Sequence, residues 1–67
     1  MKFQYMQLVQ HVATGGIYRI VAPPTVVRIE ATNSPAYAYR KEDEATGVVW
    51  VRPQNEMEDG RFVLHND

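Results

Sequence analysis

Aromatic and arginine side chains gather in one stretch of this chain. Tyr37, Tyr39, Arg40, Trp50 and Arg52 lie on two runs joined by a polar connection over residues 41–47. These are the residue types that anchor recognition surfaces. Side chains two apart on a strand share a face, so Trp50 and Arg52 point the same way. A guanidinium stacked on an exposed indole contributes about 0.5–1 kcal/mol. The cluster reads as a patch that binds a peptide or an unstacked base. The competing reading makes Tyr39 and Trp50 core or rim bulk in a domain short of large apolar groups.

Which side chains meet depends on the register of this hairpin. If residues 41 and 48 close the loop, Tyr39 faces Trp50 and Tyr37 faces Arg52. Those four then share one face, with Ala36, Ala38, Val49 and Val51 on the other. A one-residue bulge instead groups Tyr37, Tyr39, Val49 and Val51, and sets Arg40 opposite Trp50. The two registers exclude one another, because a single-residue slip turns every side chain over.

Other polar residues offer less chemistry. His11 as a general base needs a partner within hydrogen-bond reach; otherwise it is a strand histidine held by a backbone or tyrosine bond. His65 lies near the chain end. Two histidines and no cysteine make a poor zinc site, and no metal or other cofactor is expected. Glu42, Asp43 and Glu44 read as a solvated hairpin tip, lacking the further oxygen ligands of a calcium loop. Glu56, Glu58 and Asp59 follow Pro53 in a helical turn, where acids complement the helix dipole. Gly15-Gly16 lacks the lysine and helix of a phosphate loop.

The elements that position these residues are short. With 67 residues the chain makes one domain, residues 1–67, with a small core. A net charge of −1 argues against duplex nucleic acid, whose phosphates call for a basic excess. The absence of cysteine suits a reducing cytoplasm. No apolar run approaches the ~20 residues of a membrane helix, and the N-terminus lacks a signal-peptide pattern. Strands are expected over 6–12, 17–22, 26–31, 36–41, 48–52 and 61–65. For the first, helical spacing of Tyr5, Leu8, Val9 and Val12 competes. Gly15-Gly16, Pro23-Pro24 and Asp59-Gly60 punctuate the chain. Pro53 presets a helical turn over 53–57. The resulting fold class is all-β, a small SH3-like barrel of five or six short antiparallel strands with one helical turn before the last.

Several of these residues form a pattern: His11, Gly15-Gly16-x-Tyr18-x-Ile20, Tyr39-Arg40, Trp50-Val51-Arg52-Pro53, Glu56-Met57, and Asp59-Gly60-Arg61-Phe62. It resembles the signature of a family of small bacterial and phage domains of unknown function. The resemblance runs from Leu8 to Leu64, and its most specific part is Trp-Val-Arg-Pro. It implies a compact β-rich fold and a bacterial or prophage origin, and carries no activity.

The function expected is a non-enzymatic module that binds a protein or peptide through Tyr37, Tyr39, Arg40, Trp50 and Arg52. The alternatives are single-stranded nucleic-acid binding, which requires Arg19, Arg28, Arg40 and Arg52 to cluster, and a small enzyme using His11. Residues 1–5 carry large side chains and are expected to pair with a second copy of the chain, giving a homodimer.

Overall fold

The computed structural model describes residues 1–66. Its elements, in chain order, are β1 (Leu8–His11), β2 (Ile17–Ala22), β3 (Arg28–Ile29), β4 (Ser34–Lys41), β5 (Trp50–Pro53), α1 (Gln54–Met57) and β6 (Phe62–Leu64). The domain is all-β: six antiparallel strands in one sheet, with a single helical turn. Among the described residues no helix is long and apolar enough to cross a membrane.

The strands follow the order β3-β4-β2-β1-β6, and β5 pairs with β4. β4 is the hub. Its N-terminal end pairs with β3 through Ser34 and Pro35, and its C-terminal half with β2 through Ala38–Lys41. β5 and β6 are not paired with one another, so the sheet stays open and the expected barrel closure is absent. The seam between them is bridged by side chains: the Arg52 guanidinium lies 5.5 Å from the centre of the Phe62 ring.

Local chemistry explains each element. β2 alternates Tyr18 and Ile20 inward with Arg19 outward, and Pro23 stops it because proline cannot donate to a ladder. The β1–β2 turn ends on Gly15 at φ +77°, a left-handed conformation that glycine adopts without steric penalty. Val21 is an extra residue between the Ile20–Tyr39 and Ala22–Ala38 pairs, a bulge that bends the ribbon. β3 contracts to two residues, where a strand over 26–31 was expected. Pro53 caps α1, and its missing N–H costs nothing at that position.

The core is mostly aromatic. Phe3, Val9, Ile20, Tyr37, Tyr39, Met57 and Phe62 form one cluster, with Tyr18 packed against it. Tyr18, Tyr39 and Phe62 meet edge-to-face at 5.3–6.0 Å between ring centres. Such pairs add about 0.5–1.5 kcal/mol each beyond area burial. In so short a chain, a few large rings supply what many aliphatics supply elsewhere.

The N-terminal segment before β1 is not a strand. Phe3 is fully buried in its own domain. Its N–H donates to the Tyr37 hydroxyl at 3.0 Å, and the Lys2 N–H donates to Glu58 at 3.1 Å. The segment expected to pair with a second copy is therefore anchored in its own core.

Candidate functional site

The hairpin adopts the first of the two registers. Tyr39 faces Trp50 and Tyr37 faces Arg52. The shared face is nevertheless split by burial. Tyr37 is 0% exposed and Tyr39 6%, whereas Trp50 is 51% exposed. Of the five expected binding residues, Trp50 and Arg40 lie on the surface, Arg52 is half-buried, and the two tyrosines belong to the core. A partner at the surface does not reach the tyrosine rings.

Both buried hydroxyls are satisfied. Tyr37 donates to Glu58 Oε2 at 2.6 Å while accepting from Phe3. Burial, reinforced by the Glu58 carboxylate, pushes the Tyr37 phenol up to about 12. Glu58 responds oppositely. Its own partial burial pushes it up, but hydrogen bonds from Tyr37, the Lys2 N–H and Gln54 outweigh this and hold it below the usual carboxylate value. The Tyr39 hydroxyl accepts from Arg52 Nε at 3.2 Å, which raises the Arg52 guanidinium further. Arg52 also reaches Glu56 at 3.4 Å, and Glu56 holds Arg61 at 2.9 Å.

Arg52 therefore stacks on Phe62 rather than on the indole, and serves as a lid over the open seam. The Trp50 indole is left without a hydrogen bond or ring contact among the described residues. It continues a run in which Val48, Val49, Trp50 and Val51 are all 42–53% exposed.

The backbone of this run is also uncommitted on one side. Ala36 N–H donates to Val27 at 3.1 Å, and Glu42 N–H to Ile17 at 2.9 Å. Even-numbered residues of β4 thus direct their backbone groups toward β3 and β2. Those of Tyr37 and Tyr39 point the other way, to Arg52 and Trp50 on β5. The N–H and C=O of Val51 face outward from an unpaired edge. Pro53 ends this edge at one side, and the acidic loop carrying Glu42, Asp43 and Glu44 borders it at the other.

His11 sits elsewhere. Its Nδ1 is 2.9 Å from the Thr14 hydroxyl, and its ring lies 4.8 Å from Phe62. No carboxylate bonds it among the described residues. The four arginines do not form one groove. Arg19 and Arg40 are cross-strand neighbours, Arg28 lies on β3, and Arg52 is on the tyrosine face.

The edge itself was not visible in the sequence. An apolar run of four reads as a buried strand, and only the strand order reveals that it lies outermost. No family model matches the chain, and neither a curated protein nor a solved structure matches it.

Proposed function

We propose that this domain is a non-enzymatic interaction module that takes an extended apolar segment of a partner protein as an added strand beside β5, with Trp50 as the side-chain anchor. The observation carrying this reading is the unpaired β5 edge, bordered by four successive exposed apolar residues. Such an edge is a template for another strand, and soluble proteins ordinarily blunt it with charge, proline or a bulge. Here Val49–Val51 carry none of these. Main-chain bonds to Val51 supply register, and the indole supplies the large amphipathic contact typical of hot spots.

A short segment suits this edge better than a second copy. A standard interface takes about 800 Å² from each partner. The whole domain exposes 4350 Å², so that would be nearly a fifth of its surface. A four-residue edge, about 13 Å long at ~3.3 Å per residue, presents much less.

Panning a random-peptide library against the immobilised domain tests the reading. Enriched peptides should be extended and apolar, and should lose binding to Trp50→Ala and to Val51→Pro. The proline removes only an outward donor, so Val51→Pro should keep the wild-type fold by circular dichroism. Peptides captured equally by wild type and both folded variants overturn the reading.

A further inference from the structure

The outward face of the β2–β4 ribbon carries a second constellation, built from other residues. The register sets Arg19 directly opposite Arg40. Ile20 and Tyr39 point into the core, so both guanidinia project to the outside. Like charges placed opposite one another on a sheet are destabilising. Glu42 offsets this unequally: Arg19 Nε and Nη2 donate to its two oxygens at 3.0 and 2.6 Å, whereas Arg40 acts on the same carboxylate only through its charge. The Arg40 side chain is exposed and makes no hydrogen bond or close ion pair among the described residues.

The N-terminal segment walls this face. Met6 N–H donates to the Ile20 carbonyl at 2.8 Å, and Arg19 Nη1 donates to the Met6 carbonyl at 2.8 Å. These two bonds hold Met6 at φ +73°, a left-handed conformation that a long side chain adopts under strain. The outcome is a cleft of about 500 Å³ lined by Tyr5, Met6, Val21, Arg40 and Lys41 together with the Arg19–Glu42 pair, so that its three cations exceed its single carboxylate. The Tyr5 ring at this cleft is 63% exposed and outside the core.

A cleft of this size accommodates a small molecule. A guanidinium with no hydrogen-bond partner of its own favours a phosphate oxyanion, which it grips through two parallel hydrogen bonds. A free phenol ring and the neighbouring apolar side chains favour a flat ring. We infer that the Tyr5–Arg40 cleft binds a phosphorylated planar ligand of the nucleoside monophosphate class, with Arg40 on the phosphate and Tyr5 against the base. Arg19 stays with Glu42 and positions the wall through Met6.

Amide chemical-shift titrations at low salt test this, with adenosine monophosphate, inorganic phosphate and adenosine as probes. The mononucleotide should shift Tyr5, Met6 and Arg40 and saturate at about fivefold lower concentration than inorganic phosphate. Adenosine alone should bind more weakly than the mononucleotide. Arg40→Gln should weaken the mononucleotide about tenfold, the usual effect of losing a charge-assisted bond. Arg40→Lys should retain part of the affinity. Tyr5→Ala should reduce the mononucleotide to the level of inorganic phosphate. Mononucleotide binding no tighter than inorganic phosphate, shifts confined to other regions, or full affinity in a folded Arg40→Gln protein would each overturn the inference.

Discussion

Removing one oxygen atom separates the structural tyrosine from the recognition residues. In Tyr37→Phe the ring stays in place and the hydroxyl goes. The fully buried Phe3 N–H then loses its acceptor at 3.0 Å, and Glu58 loses its donor at 2.6 Å. A buried donor left without a partner costs about 1–3 kcal/mol. Glu58 is only half-buried and keeps the Lys2 N–H and Gln54, so its loss is partly made up by those bonds and by water. A net destabilisation of about 2 kcal/mol follows. In a domain of this size that lowers the melting temperature by roughly 8–16 °C. Urea unfolding followed by circular dichroism measures it, with an unchanged slope expected. The folded variant should still capture wild-type-selected peptides with wild-type affinity, because the hydroxyl lies inside. A stability change below about 0.5 kcal/mol, the range of neutral surface substitutions, would refute the claim that this bond anchors the N-terminal segment.

Four further outcomes follow from a carboxylate, a phenol, the core and a turn. Glu58 has a folded-state pKa below its unfolded value of 4.5, so its stabilisation is fully present above that pH and is lost as pH falls through the folded value. Glu58→Gln should flatten the fall in melting temperature between pH 5 and about pH 2, relative to wild type. Tyr37 shifts the other way: its phenol rises from 10.0 to about 12, so the stability it confers is lost as pH rises through that window. Ultraviolet titration should find a phenol ionising at about pH 12 that is absent from Tyr37→Phe. Phe62→Ala, which removes the ring shared by Tyr18, Tyr39, His11 and Arg52, should cost about 3–5 kcal/mol and leave the domain largely unfolded at ambient temperature. Gly60→Ala meets no steric obstacle, yet φ +104° strains any side chain, so chemical unfolding should show a loss of about 1 kcal/mol.

Alternation made β2 legible in the sequence, with Arg19 between Tyr18 and Ile20, and its observed bounds coincide with those expected. Pro53 marked the helical turn for a local reason, its preset φ and missing donor. Loop length narrowed the hairpin to two registers without choosing between them, and one of the two is observed. What sequence left open depended on long-range neighbours. The Ala-Tyr-Ala-Tyr run of β4 has no polar face, because this strand is the hub and is covered on both sides. Its tyrosines therefore looked the same as exposed recognition residues until Phe3 and Glu58, distant in sequence, were seen to enclose Tyr37. For β5 the same ambiguity ran the other way, and an apolar run that reads as core proves to be an edge. Phe3 joined the core from an irregular segment, where no periodicity signals burial.

Amide hydrogen exchange along β5 tests the edge most directly. In the free domain, Trp50 and Arg52, which bond back to β4, should be protected, while Val51 exchanges freely. Adding the tightest selected peptide should slow Val51 and leave Trp50 and Arg52 unchanged. Protection of Val51 in the free domain, or no change at Val51 once the peptide is bound, would contradict strand addition at this edge.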